Sequence, residues 1–340
     1  MRAVTGVAAS GPREPLRPYE FTRRDLRPDD VAVRVTHVGV CHSDLHAVEG
    51  MPPGAPSLVP GHEFTGEVTA VGPEVTRFRV GDAVAVGNIV DSCGECDNCL
   101  AHREPYCRQF PATTYGGRDL RDGSPTQGAY STEYVVRDAF TYALPAGLAP
   151  AAVAPLMCAG VTTWSPLSRA GTGPGTQVGI VGLGGLGHLA VKFAVALGAR
   201  VTVFTTSAAK ADDARALGAH DVVVSTDAEA MAAVSGRLDF VLDTASGAHD
   251  LGPYLGTLRL DGTLCVLGLP ERYTVSPMSL LGRRLTVSGS AGTAETQQML
   301  DFCGEHGLTA DVEVLPFDQV NTAVERLTRN DVRYRFVLAL

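Results

Sequence analysis

The 340-residue chain carries 28 basic and 37 acidic residues, a formal net charge of −9, and is 45% hydrophobic and 19% charged. That length exceeds the usual single-domain range of about 100–200 residues, so two domains are expected, each able to bury a core. An acidic chain without a block of Lys and Arg is not built to track nucleic-acid phosphates, and no apolar run reaches the roughly 18 residues a membrane span needs. Residues 1–10 show no basic segment followed by an apolar stretch, so a cytoplasmic location is the expectation.

As far as about residue 145 the chain is rich in short β-like runs, at 30–35, 64–71 and 83–86, separated by Gly and Pro. This pattern predicts an irregular, mostly antiparallel β domain. Cys93, Cys96, Cys99 and Cys107 then form C-x2-C-x2-C-x7-C in a polar lobe at 91–108. Clustered thiols in a large chain point to metal rather than disulfides, although free or redox-active thiols share the spacing. Four thiolates can close a tetrahedron around Zn²⁺ with no open position, which makes a structural site. Cys41, His62 and Cys158 are scattered, and taken singly each reads as an ordinary core thiol or a hydrogen-bonded imidazole.

From residue 177 the texture changes. Apolar runs at 178–182, 201–205, 221–225, 240–244, 264–268 and 285–290 alternate with helical patterns, predicting an α/β domain built on a six-stranded, doubly wound parallel sheet. Gly182-Leu183-Gly184-Gly185-Leu186-Gly187 follows the first of these strands and opens a helical run at 188–197. In that context the glycines allow a tight turn and close approach of backbone to a pyrophosphate, which the helix N-terminus attracts. At the end of the second strand the segment Phe204-Thr205-Thr206-Ser207-Ala208-Ala209-Lys210 lacks the acidic residue that binds the ribose hydroxyls of NAD. Thr205, Thr206, Ser207 and Lys210 offer a cradle for a 2′-phosphate instead; the plainer alternative is a helix cap beside a solvated lysine. Residues 293–306 read as a helix, Phe317, Val320, Val324 and Leu327 mark the apolar stripe of another, and 334–338 as a final strand. These elements exceed what the sheet domain needs, so the C-terminal segment is expected to return to the first domain.

The ordered motifs resemble the zinc-dependent medium-chain alcohol dehydrogenases, and within them the cinnamyl-alcohol-dehydrogenase-like, NADP(H)-linked branch. The resemblance runs along essentially the whole chain: Gly39-Val40-Cys41-His42-Ser43-Asp44-Leu45-His46, Pro60-Gly61-His62-Glu63, the four-cysteine lobe, Pro125-Thr126-Gln127-Gly128, Met157-Cys158-Ala159-Gly160-Val161-Thr162, the glycine loop and Asp331-Val332-Arg333-Tyr334-Arg335-Phe336-Val337. It implies a GroES-like catalytic domain from residues 1–158 and 293–340, and a Rossmann nucleotide-binding domain at 159–292. It implies two zinc ions per chain, with Cys41, His62 and Cys158 around the catalytic one and its fourth position open. Glu63 either enters the coordination when the outer ligand leaves or stays behind the metal, and Asp44 accepts a hydrogen bond from His62.

The chemistry so implied is hydride transfer between a primary alcohol or aldehyde and NADP(H), with Zn²⁺ as Lewis acid. The proton would pass from the substrate oxygen to Ser43 and, through the cofactor ribose, to His46. Further cofactor contacts carried over are His42 and Arg335 near the phosphates, Thr162 and Thr244 along the dinucleotide, and Gly268 and Ser290 near the nicotinamide. A homodimer is expected on the same ground. The substrate wall differs: helix 293–306 follows residues 287–290 sooner than in relatives, and positions 47, 51–56, 88 and 115 lack an aromatic-rich set. Other readings of the same residues are a zinc polyol or secondary-alcohol dehydrogenase, or a dinucleotide-binding zinc protein without catalysis.

Overall fold

A computed structural model describes residues 1–268 and 270–340. The chain forms two compact units, Met1–Cys158 together with Ala291–Leu340, and Ala159–Ser290. Among the described residues no helix is long and apolar enough to cross a membrane.

The first unit is built on a sheet whose strands run in the order Val312–Pro316, Arg335–Ala339, Asp30–Val40, Phe64–Val71, Ala83–Val86 and Thr141–Ala143, with Glu133–Arg137 also pairing along Asp30–Val40. All of these pairs are antiparallel except that of Val312–Pro316 with Arg335–Ala339. The irregularity expected from the sequence lies in Asp30–Val40, where the register against Phe64–Val71 shifts twice. Such bulges bend a strand and increase its twist. Val31, Val33, Val35, Val38 and Val40 are buried, as are Phe64, Val68 and Phe336, so the β-branched and aromatic residues that favour strands also make the core. Helix His42–Glu49 starts directly after this strand, and helix Val320–Thr328 buries Val320, Ala323 and Leu327 against the same core. The C-terminal strand and helix thus complete the sheet begun by residues 30–86.

The second unit holds six parallel strands in the order Asp221–Val224, Arg200–Thr205, Gln177–Val181, Leu238–Asp243, Leu258–Val266 and Arg284–Val287. Numbered along the chain this is 3-2-1-4-5-6, the doubly wound nucleotide-binding order, and its reversal beside Gln177–Val181 makes the crevice where ligands bind.

Candidate metal and cofactor sites

Cys41 follows the bulged strand and caps helix His42–Glu49, His62 precedes strand Phe64–Val71, and Cys158 caps a 3₁₀ turn at Ala154–Met157. The fold brings Cys41, His62, Glu63 and Cys158 together, with one donor atom of each within 4.8 Å of the others. His62 Nε2 is 3.2 Å from Cys158 Sγ, and the two sulfurs are 4.0 Å apart. Tetrahedral zinc with bonds of about 2.0–2.3 Å needs N–S and S–S edges of about 3.6 and 3.8 Å, so these donors fit Zn²⁺.

Electrostatics make the same point. The hydrogen bond from Cys158 holds the Cys41 thiol well below its ordinary value, and that bond together with burial pushes Cys158 well above it, so the pair alone retains a proton. A divalent cation lets both be thiolates. Burial opposes charge on His62, but Asp44 and Cys41 outweigh it and raise its pKa. Burial also pushes the Glu63 carboxyl up to about 7, against the pull of Arg335.

Asp44 is the anchor of the site. Its Oδ1 accepts from His62 Nδ1 at 2.9 Å and from the Gly61 N–H at 3.0 Å, while Oδ2 accepts from the Cys41 N–H at 3.0 Å. The first of these bonds fixes the His62 tautomer so that Nε2 faces the sulfurs. Glu63 is fully buried; Oε1 accepts from Arg335 Nη2 at 2.5 Å, while Oε2 has no protein partner and can turn to a cation. The resemblance sets Arg335 near the cofactor phosphates; in the structure Arg335 is buried and its Nη2 donates to Glu63, an ion pair that the sequence does not reveal, while its buried Nε has no protein partner. Ser43 is exposed, with Oγ 3.7 Å from Cys41 Sγ. His46 lies one turn along the helix with a side chain 73% exposed, and half-buried His42, whose pKa burial lowers, stands 6.5 Å from it between ring centroids.

The four-cysteine lobe closes as a second cluster. Cys93, Cys96, Cys99 and Cys107 also lie within 4.8 Å of one another, with Cys93–Cys99 and Cys96–Cys99 sulfur separations of 3.8 and 3.5 Å, close to the zinc–thiolate edge of about 3.8 Å. The regular structure of the lobe is limited to short helices and one two-stranded ribbon. Cys99→Ala is therefore expected to lower the unfolding midpoint by more than about 10 °C, corresponding to several kcal/mol at about 2–4 °C per kcal/mol. A thermal melt of the purified variant checks this, and an unchanged midpoint would show that the lobe needs no metal.

In the second unit the three signature glycines have separate tasks. Gly182 has φ +86°, which a side chain resists; a Cβ on Gly187 would sit 2.2 Å from the Gly182 carbonyl oxygen; a Cβ on Gly184 would meet no protein atom, leaving that face free for a ligand. Leu183, Gly185 and Leu186 complete the loop, and Gly187–Ala196 is the helix it opens. Lys210 Nζ donates to the Leu183 carbonyl at 3.2 Å, so the cation leans over the loop. Thr206 and Ser207 are exposed beside it, whereas buried Thr205 uses its hydroxyl to close the turn with the Ser207 backbone. Thr244 donates to the Val181 carbonyl and Thr162 to that of Gly289, so both hydroxyls brace backbone. A Cβ on Gly268 would clash with the Ala245 carbonyl, and Ser290 is the last residue of the unit.

Two features escaped sequence reading: the Glu63–Arg335 pair, whose members are 272 residues apart, and Tyr130, whose hydroxyl reaches Asp44. A lone Tyr in a strand-rich segment has no spacing signature.

A thiolate–imidazole cluster with an exposed hydroxyl beside it, in a chain that also folds a dinucleotide loop, defines a metal-assisted oxidoreductase. Comparison with known proteins agrees. Residues 27–146 match the alcohol dehydrogenase GroES-like domain and residues 185–305 the zinc-binding dehydrogenase domain. The chain is 47% identical over 344 residues to NADP-dependent alcohol dehydrogenase C 1 of Mycolicibacterium smegmatis, covering 99% of this chain and 98% of that one. Among solved structures it resembles a cinnamyl alcohol dehydrogenase of Sorghum bicolor, with TM-score 0.94 and 43% identity. It also resembles a CAD of Helicobacter pylori complexed with NADP(H), with TM-score 0.92 and 33% identity; each match covers 99% of this chain and 98% of the other. The chain belongs to the zinc-dependent medium-chain alcohol dehydrogenases and is an oxidoreductase of that family.

Proposed function

We propose that the protein interconverts primary alcohols and aldehydes with NADP(H), and that with NADPH as the cellular partner it acts mainly as an aldehyde reductase. The observation that carries this is the cluster of Cys41, His62 and Cys158, fixed by Asp44 and flanked by an exposed hydroxyl on Ser43. When bound there, zinc supplies a Lewis acid that draws charge from the substrate oxygen and eases loss of its proton. Ser43 takes that proton in alcohol oxidation and returns it in aldehyde reduction, and His46 exchanges it with water. Asp44 orients His62, while Arg335 holds Glu63 behind the metal ligands. Cys93, Cys96, Cys99 and Cys107 hold a second, structural zinc.

The glycine loop at 182–187 takes the pyrophosphate, and Thr206, Ser207 and Lys210 take the 2′-phosphate; with its hydroxyl engaged, Thr205 shapes the turn that presents them. His42, Thr162, Thr244, Gly268, Ser290 and Arg335 are assigned to the rest of the cofactor path, Thr162 and Thr244 by keeping its backbone in place and Arg335 beside the phosphates. Lys210→Ala should weaken NADPH binding by about 1.5–3 kcal/mol, the range for a charged hydrogen bond, and leave NADH nearly unchanged. Fluorescence titration with both cofactors checks this, and equal losses would remove Lys210 from 2′-phosphate recognition.

All eight cysteines are unpaired, which suits a reducing compartment, and we place the protein in the cytoplasm. A homodimer fits the second unit: Arg284–Val287 is an edge strand, and Leu260, Met278, Leu281 and Val287 are exposed around it. The function is tested by a panel of primary alcohols, secondary alcohols, polyols and aldehydes with each cofactor. Fastest turnover of aldehydes with NADPH supports the reading, and a preference for polyols or secondary alcohols with NADH overturns it.

A further inference from the structure

We propose that Tyr130 is a positioning residue for the zinc ligand His62, acting through Asp44. The inference rests on the assignment of Cys41, His62 and Cys158 to a zinc ion. Tyr130 is fully buried, and its hydroxyl donates to Asp44 Oδ2 at 3.3 Å, on the oxygen that also accepts the Cys41 N–H. The hydroxyl is 3.5 Å from the Gly39 carbonyl, a longer alternative. Burial, then Asp44, hold the phenol well above its ordinary value, so it remains a donor.

With this bond Asp44 receives hydrogen bonds from the backbones of Cys41 and Gly61 and from the side chains of His62 and Tyr130. Tyr115, edge-on to the His62 ring with centroids 5.7 Å apart, also faces Asp44. A carboxylate held by donors at both oxygens cannot rotate away from His62. Loss of the Tyr130 donor removes one of the hydrogen bonds that hold Oδ2 and leaves that of the Cys41 N–H there, so the carboxylate is held less tightly.

The surroundings keep Tyr130 in place. Arg23 lies over the Tyr134 ring and donates to the carbonyls of Gln127, Gly128 and Glu133 and to Ser131 Oγ, fixing the loop that presents Tyr130. A Cβ on Gly128 would meet the Pro60 carbonyl oxygen at 2.1 Å, and one on Gly61 would meet the Tyr130 ring at 2.6 Å. The motifs Pro60-Gly61-His62-Glu63 and Pro125-Thr126-Gln127-Gly128 therefore pack as one unit, with Tyr130 in its centre and Asp44 at its edge.

Tyr130→Phe tests this, because it removes the hydroxyl and keeps the ring against Gly61. A chromophoric chelator follows zinc release, and the fast phase reports the open site. The variant should release that zinc about 3–10-fold faster, below the about 10–100-fold expected for Asp44→Asn, since outer partners of metal ligands cost that much. Replacing the zinc by Co²⁺ should give a visible absorption band that differs between variant and wild type. kcat should fall with the KM for NADPH unchanged. Added to Asp44→Asn, the substitution should have no further effect on release, as expected for a residue acting through Asp44. Release and cobalt band equal to wild type, or a full additive effect in the double variant, would overturn the proposal even if the melting temperature fell. A wild-type protein with no fast-releasing zinc and no cobalt–thiolate band would overturn the metal assignment instead.

Discussion

Cys158→Ala lowers the rate of aldehyde reduction by about 10³–10⁵-fold, the equivalent of several kcal/mol of lost Lewis-acid stabilisation, while the chain still folds. The variant leaves Cys41 and His62 with a gap where the third donor stood, 4.0 Å from Cys41 Sγ and 3.2 Å from His62 Nε2. Cys158 ends the first segment of its unit and is only partly buried, so a methyl group there creates little cavity. The contrast with Cys99→Ala is diagnostic. There the loss falls on stability, because the lobe depends on its metal, whereas here it falls on chemistry. Steady-state rates and a thermal melt measured on the same sample separate the two, and a Cys158→Ala enzyme within tenfold of wild type would remove this cysteine from the catalytic site.

Ser43→Ala is expected to cost about 10²–10⁴-fold in rate, the usual contribution of a positioned proton donor or acceptor. Ser43 Oγ lies 3.7 Å from Cys41 Sγ, beside the donors where a substrate oxygen would bind, and outside base is expected to replace it poorly because the first proton transfer needs a hydroxyl held at that oxygen. His46 is different. With a side chain 73% exposed it exchanges protons with solvent, so His46→Gln costs less and recovers with small imidazole-type bases. Alcohol oxidation in the wild type should speed up as pH rises, because that direction must release a proton. Rates of both variants across pH, with and without imidazole, check this. A His46→Gln enzyme with the wild-type rate and pH profile in the absence of added base would show that the proton leaves by another path.

Much of the fold is legible from local pattern. Residues 64–71 and 83–86 form strands and 293–306 a helix at the expected bounds, because each carries a clean apolar rhythm between strong breakers. Strand Asp30–Val40 runs five residues past the expected 30–35, since its register shifts blur the alternation. Leu258–Val266 begins before the expected 264, in a stretch with exposed Arg259, Leu260 and Asp261 that carries no buried-strand signal.

At the site, the four-cysteine lobe could be read from spacing alone, whereas Cys41, His62 and Cys158 needed the ordered motifs around them. Neither route reaches the pairing of Arg335 with Glu63 or the role of Tyr130. Their partners are set by how distant strands pair, and a lone Arg or Tyr among apolar residues reads as any other strand position. Thr205 also holds the backbone turn with its hydroxyl, a bond that the sequence does not show.

The central claim, a zinc-dependent alcohol dehydrogenase with one catalytic and one structural metal, is tested most directly by counting zinc in enzyme of known specific activity during chelation. About two zincs per chain are expected at full activity. Loss of the first, more labile zinc should abolish turnover while the chain stays folded, and its return should restore turnover. Full activity with one zinc per chain or none would contradict the account.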